Sequence, residues 1–127
     1  MVHDRLERVG ELVRRELSAL LLEGSLRDPR LADVSGVAIT AAEVSADLSS
    51  ARVFVDVLDP SRRDAVLAAL GAASGRLQRA LGRRIRLKRT PRLTFHYDVS
   101  IERGRRIEAL LREVRGGADE APPPDDQ

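Results

Sequence analysis

The feature that most constrains the fold is a change in hydrophobic period after Gly24. In residues 4–23, apolar side chains recur at three- and four-residue steps, which is typical of an amphipathic helix that buries one stripe. Residues 51–58, ARVFVDVL, alternate between apolar and polar instead, and residues 37–45 are rich in β-branched and small side chains. Both segments therefore predict strands, and the short polar link at 46–50 predicts an antiparallel hairpin.

The second half of the chain predicts two helices separated by a break, then a third strand and a last helix. GAASG at residues 71–75 interrupts the helical pattern, because a glycine costs about 1 kcal/mol in a helix interior. Residues 86–97 alternate over a long strand, in which Pro91 must occupy a bulge or an edge position. The last helix has four apolar residues and ends at two glycines: Ile107, Leu110, Leu111 and Val114, then Gly116 and Gly117. This order predicts an α+β domain with a three-stranded sheet covered on one side by helices.

Length and composition limit what the chain can be. With 127 residues it is one domain by size, predicted over residues 1–115, and residues 116–127 form an acidic tail that we expect to be disordered. Cysteine is absent, which excludes disulfides and thiolate metal sites, and no other metal site is indicated. No apolar run approaches the ~18 residues of a membrane span, and the first residues do not resemble a signal peptide. We therefore expect a cytoplasmic protein that contacts no membrane.

Charge is distributed unevenly along the chain. Residues 71–97 contain eight basic residues and no Asp or Glu, whereas the other 14 of the 22 basic residues face all 20 acidic ones, a net of −6. A segment at +8 on a body at −6 predicts a basic face that binds a polyanion. The eight residues are Arg76, Arg79, Arg83, Arg84, Arg86, Lys88, Arg89 and Arg92.

The spacing of these residues predicts that many of them point to solvent together. At about 100° per residue, Arg76, Arg79 and Arg83 fall within about 60° of one another on a helix, away from its apolar stripe. The following strand repeats the design at period two, with Arg86, Lys88 and Arg92 on the outward side. The planar guanidinium of arginine suits phosphate, because it can bond two oxygens at once. With only three aromatic residues in the chain, we expect nucleic acid to be bound through phosphates and shape rather than base stacking.

Other interpretations of the basic segment stay open at this point. A solvated helix face is one, although no carboxylate within the segment is available to pair with its arginines. A protein–protein adaptor that docks an acidic partner is another. A binder of duplex DNA is a third, but no recognition helix or dimer signal supports it.

Two residue groups resemble catalytic sites, and the sequence argues against both. His96 and Asp98 are spaced for an acid–base pair, but no nucleophile or second ligand accompanies them, so we predict no enzyme activity. SADLSSA at residues 45–51 clusters Asp47 with serines, and this pattern predicts a hairpin turn held by side-chain to backbone bonds.

Several motifs in order resemble the ribosome-binding factor A family of bacterial small-subunit assembly factors. They are ITAAEVSADLSSARVFV at 39–55, AASG at 72–75 and PRLTFHYDVSIERGRRI at 91–107. The opening RVGELVRRELSALL and the DPRL at 28–31 agree as well, so the resemblance runs from about residue 5 to 114.

This resemblance implies a type II KH-like fold, in which Ala73, Ser74 and Gly75 form an Ala-x-Gly helix kink where other KH domains have a GxxG loop. It also implies a monomer that binds the small (30S) ribosomal subunit and its 16S rRNA, assists late maturation and processing of that RNA, and needs no cofactor. The chain departs from the family's pattern at two positions. Relatives commonly have a large apolar residue where Arg76 stands and an arginine where Gln78 stands, so individual contacts cannot be carried over.

Overall fold

The computed structural model describes residues 2–24 and 26–118, and it gives side-chain burial for residues 4–24 and 26–116. The acidic tail predicted to be disordered lies, from residue 119 onward, outside the described residues. Within the described residues there are four α-helices and three strands: α1 Val2–Glu23, β1 Val37–Val44, β2 Ser50–Val57, α2 Arg63–Ala72, α3 Ser74–Arg84, β3 Arg92–Tyr97 and α4 Val99–Ala118. Single 3-10 turns at Pro29–Leu31 and Pro60–Arg62 complete the order.

The three strands form one mixed sheet in the order β1-β2-β3. β1 and β2 pair antiparallel, with a bulge between Ile39 and Ala41, which confirms the predicted hairpin. β2 and β3 pair parallel, so the chain must cross over between them, and α2 and α3 make that crossover. In this register Phe54 lies opposite His96.

The first three helices cover one face of the sheet, as predicted. Val53 and Val55 of β2 are fully buried in one core with Val13 and Leu17 of α1 and with apolar residues of α2 and α3. The alternate residues of β2 and β3 point the other way, and Arg52 among them is exposed. We call this second side of the sheet the open face.

Helix α1 approaches β1 so closely that one position admits only glycine. A Cβ added at Gly10 would lie under 3.0 Å from the carbonyl oxygen of Ala42, a separation that real Cβ atoms essentially never show. The two elements can therefore pack at backbone distance, which places Val13 and Leu17 against the sheet.

The third strand is shorter than its alternating pattern predicts. It spans Arg92–Tyr97, whereas residues 86–91 form a loop, and Pro91 is buried just before the strand begins. Proline has no N–H for the ladder and restricts the residue before it, so pairing starts only after Pro91. The prediction of a strand from residue 86 is therefore wrong.

The last helix also differs from its prediction at the C-terminal end. Gly24 ends α1 in the left-handed conformation, with φ of 70°, but neither Gly116 nor Gly117 takes up positive φ, and α4 continues to Ala118. A glycine permits the left-handed stop without enforcing it. The apolar residues Ile107, Leu110, Leu111 and Val114 of α4 are between 48% and 67% exposed.

Candidate nucleic-acid interface

The break between α2 and α3 lies at Ala73. This residue has φ of −91° and ψ of 2°, and its N–H donates to the carbonyls of Ala69 and Leu70 at 3.0 and 3.1 Å. Gly71 and Gly75 keep negative φ, and a Cβ at Gly75 would make only an ordinary contact. The predicted Ala-x-Gly kink is thus confirmed. The residue whose backbone leaves the helical conformation is the buried Ala73, however, and not a glycine.

Helix α3 separates buried leucines from exposed arginines. Leu77 and Leu81 are buried in the core, whereas Arg76, Arg79 and Arg83 are exposed. The arginines recur at three- and four-residue steps, so they form one row along the solvent side of the helix, as predicted.

The loop at residues 85–91 is held against α3 by two contacts at Thr90. The Nε2 of Gln78 donates to the Thr90 carbonyl at 3.0 Å. A Cβ at Gly82 would come within 2.8 Å of Thr90 Oγ1, so glycine lets the loop lie close to the helix. Gln78 therefore joins the loop to the helix.

The same loop presents three further cations. Ile85 and Pro91 are buried at its two ends, which anchors it to the core. Between them Arg86, Lys88 and Arg89 are exposed. The loop thus continues the row of charge that begins on α3.

Arg84 has a different environment from its neighbour Arg83. Its Nη2 donates to Glu23 Oε2 at 2.6 Å, and its Nη1 lies 3.5 Å from Glu16 Oε1. The hydrogen bond from Arg84 to Glu23 raises the pKa of the guanidinium. Because both glutamates belong to α1, Arg84 joins α3 to α1.

Arg92 lies on the open face, away from the α3 row. It pairs with Ser50 in the β2–β3 register, and Leu93 after it is buried in the core. Successive strand side chains alternate between faces, so Arg92 points away from α1, α2 and α3. The eight predicted residues thus divide into three groups. We call the largest group the basic surface; it comprises Arg76, Arg79, Arg83, Arg86, Lys88 and Arg89.

The cations of the basic surface are not neutralised by carboxylates of the described residues. None of the six forms an ion pair with another residue in the part of the chain that the structure describes. Hydrogen bonds from Arg30 chiefly, with a smaller contribution from the nearby charge of Arg76, lower the pKa of Asp28 to about 2. Unpaired exposed arginines of this kind are suited to binding phosphate.

The other two candidate groups have structural roles. Asp47 Oδ1 accepts from the Ser45 hydroxyl at 2.8 Å and from the Ser49 hydroxyl and N–H at 2.7 and 3.1 Å, which confirms the predicted turn. Hydrogen bonds, chiefly from the Ser49 and Ser45 hydroxyls, lower the pKa of Asp47 to about 2.

The carboxylate of Asp98 accepts hydrogen bonds at the start of α4 and does not pair with His96. Its Oδ1 accepts from the Ser100 N–H at 3.0 Å, and its Oδ2 accepts from the Thr40 hydroxyl at 2.6 Å. Burial favours the neutral form of Asp98, but these hydrogen bonds outweigh it and lower its pKa. The Nε2 of His96 lies within hydrogen-bond distance of Thr94 Oγ1 instead, at 2.8 Å. Within residues 2–24 and 26–118 no group of three His, Asp or Glu side chains is placed to hold a metal. In the same described part, no helix is both long and apolar enough to cross a membrane.

Sequence reasoning missed one cluster on the open face. The rings of Phe54 and His96 have centroids 5.8 Å apart and planes tilted by 38°, and the Arg52 guanidinium lies 5.6 Å from the Phe54 centroid. The alternation of β2 places Arg52 and Phe54 on one face, but His96 joins them only through the parallel register, which the sequence does not reveal. We call these three residues the aromatic cluster.

Comparison with known proteins agrees with this architecture. The family model for ribosome-binding factor A matches residues 5–111. The ribosome-binding factor A of Anaeromyxobacter dehalogenans strain 2CP-1 is 47% identical over 124 residues, which is 97% of this chain and 87% of the relative. That of Gloeobacter violaceus is 41% identical over 109 residues, covering 85% and 84% of the two chains.

Solved structures give the same result. The crystal structure of ribosome-binding factor A from Thermus thermophilus is 30% identical, with a TM-score of 0.62 over 72% of this chain and 94% of that one. A homology model of the Thermus thermophilus factor, fitted into a cryo-EM map of a 30S complex, is 33% identical with a TM-score of 0.50, over 67% and 90%. The fold is accordingly KH-like, and the chain belongs to the ribosome-binding factor A family.

Proposed function

We propose that this chain binds the small ribosomal subunit through its 16S rRNA and assists late maturation and processing of that RNA. It acts as a monomer in the cytoplasm and contributes no catalytic group. The observation that carries the proposal is the basic surface: six exposed cations along α3 and the loop after it, without an ion pair to any described residue.

The chemistry of this surface suits an RNA backbone. Arginine forks bond phosphate oxygens in pairs, and their charge persists at any physiological pH. If all six cations contact phosphates, the logarithm of the binding constant should fall with the logarithm of salt concentration with a slope of about −4 to −5. A partner protein with a few carboxylates releases fewer condensed counterions, so its slope would be shallower.

The mechanism requires different affinities for two RNA arrangements. A binder shifts a conformational equilibrium only by its preference for one state. The loop at 85–91 is anchored at both ends and contacts α3 at Gln78 and Gly82. These contacts fix the position of the loop, and so of its cations, relative to α3. Such a surface fits one spacing of phosphates better than others and so favours the RNA arrangement that offers it.

Support for the small subunit as the partner comes from a relative. The Thermus thermophilus factor has been fitted into the map of a 30S complex, and it shares the fold of this chain. Family membership extends the same partner to this chain as a proposal.

The test is co-sedimentation with mature and immature small subunits across a salt series. The informative variant is Arg79→Glu, Arg83→Glu, because both side chains are exposed and make no ion pair with a described residue. The matched control is Arg103→Glu, Arg112→Glu on α4, which changes the net charge equally at two exposed arginines. We expect binding by the wild type and the control, and loss of binding in the α3 variant.

Three outcomes would contradict the proposal. Equal loss in the variant and the control would mean that net charge alone determines binding. Failure of the wild-type protein to co-sediment with either subunit would favour the adaptor hypothesis instead. Displacement of the bound protein by an acidic polypeptide and not by rRNA would favour it too.

A further inference from the structure

The aromatic cluster on the open face has the components of a base-stacking site. Phe54 and His96 lie on adjacent strands, opposite each other in register, so their rings form a platform two residues wide. Arg52, two positions before Phe54 on β2, places its guanidinium over the Phe54 ring. Aromatic side chains on a sheet surface stack unpaired bases in other RNA-binding folds, and arginine planes add to that stacking.

The platform is accessible to a partner. The helices α1, α2 and α3 pack on the other face, where the core lies. On the open face His96 and Thr94 are exposed and Phe54 is half-buried. Helix α4 reaches this face beside the cluster, where Arg105 pairs with Asp56.

One cation beside the platform, Arg92, is left available for an anion. The carboxylates on this face are already engaged: Glu43 pairs with Arg52, and Asp56 pairs with Arg105. Asp98 accepts hydrogen bonds from Thr40 and Ser100, as described above. Arg92, four positions before His96 on the same side of β3, is exposed and has no ion pair among the described residues.

We infer that the open face binds one unpaired nucleotide of RNA, whose base stacks on Phe54 and His96 while a flanking phosphate contacts Arg92. This inference rests on the proposed function and adds a second contact to it. Stacking uses the flat face that every base has, so the site should tolerate any base. An RNA strand supplies both a base that can stack on Phe54 and His96 and a phosphate that can pair with Arg92.

The site also explains why Arg92 is separated from the basic surface. The basic surface lies on the helical layer, and the platform lies on the opposite side of the sheet. One molecule can therefore contact two RNA segments at once: phosphates of a folded segment on one side and an unpaired nucleotide on the other.

The test uses full-length protein and a short single-stranded oligoribonucleotide that carries one 2-aminopurine. Stacking of this base on Phe54 should quench its fluorescence, and the titration gives an affinity. Phe54→Leu should weaken binding about tenfold, the size expected for loss of one base stack, whereas Phe54→Tyr should keep it. Thermal unfolding of each variant establishes that it folds, because leucine is accommodated at a half-buried strand position.

Controls separate this inference from the proposed function. In co-sedimentation with small subunits, the Arg79→Glu, Arg83→Glu variant tests the basic surface, and the oligoribonucleotide titration tests the platform. The inference is overturned if wild type and Phe54→Leu bind the oligoribonucleotide equally, or if neither protein quenches the probe. Phe54 and His96 would then be only a cross-strand pair, even where binding to small subunits persists. If quenching of the probe depends on Phe54 but the protein does not co-sediment with small subunits, the stacking site is supported and the proposed function is contradicted.

Discussion

Replacement of Gly10 by alanine is predicted to destabilise the protein, although helix propensity alone predicts the opposite. Gly10 lies within α1, and alanine is favoured over glycine in a helix interior by about 1 kcal/mol. The new Cβ, however, would meet the carbonyl oxygen of Ala42 at a separation that real Cβ atoms essentially never show. That oxygen belongs to the β1 backbone, so no side-chain rotation can relieve the contact.

The magnitude follows from the balance of these two effects. To accept the methyl group, α1 must move away from β1, which loosens the packing of Val13 and Leu17 against the sheet. Overpacking of this kind costs about 1–3 kcal/mol, and the gain in helix propensity offsets about 1 kcal/mol. The net loss is therefore up to about 2 kcal/mol, which lowers the melting temperature by up to roughly 8 °C for a domain of this size.

Thermal unfolding followed by circular dichroism measures the effect against a matched control. Gly71 also lies in a helix, but a Cβ there has nothing within 4 Å. Gly71→Ala should thus raise the melting temperature, by about 0.4–1 kcal/mol of added stability. Opposite signs for the two substitutions would support the close approach of α1 to β1. A rise in melting temperature for Gly10→Ala would refute it.

Two further predictions concern charged side chains. Arg84→Glu should lower the melting temperature, because it places a third carboxylate beside Glu16 and Glu23. The neighbouring Arg83 is exposed and has no ion pair with a described residue, so Arg83→Glu should leave the melting temperature nearly unchanged. Equal melting temperatures would show that Arg84 does not brace α3 against α1. The pKa of Asp47 is lowered to about 2 from 3.8, so the stability that its ionised form contributes is complete above about pH 4 and is lost as the pH falls towards 2. Asp47→Asn should therefore lower the melting temperature at pH 7 and flatten its fall between pH 4 and 2; an unchanged acid profile would contradict this role of Asp47.

Much of the fold was predictable from the sequence because each element carries a local pattern. The stripe of α1 and the alternation of β2 report directly which side chains are buried. The break at Ala73 was predictable from the surrounding glycines, although its backbone conformation was not. The row of Arg76, Arg79 and Arg83 needed only helical geometry.

What could not be predicted depends on contacts between distant segments. The parallel pairing of β2 with β3 places His96 beside Phe54, and no pattern within either strand specifies that register. The role of Arg84 was hidden for the same reason, because its partners Glu16 and Glu23 belong to another helix. The long alternation at 86–97 predicted a strand that Pro91 prevents, since alternation alone does not reveal where backbone pairing begins.

The absence of carboxylates from residues 71–97 is what leaves the basic surface unpaired. Elsewhere in the described part of the chain, some arginines pair with a carboxylate three or four positions away on the same helix: Arg14 pairs with Glu11, and Arg106 pairs with Glu102. In α3 no such neighbour exists, and among the described residues an ion pair forms only where α1 supplies glutamates from outside, at Arg84. A carboxylate within the segment would replace phosphate as the nearest anion of these arginines. The composition of the segment therefore preserves the capacity to bind an external polyanion, which a merely solvated face would not require.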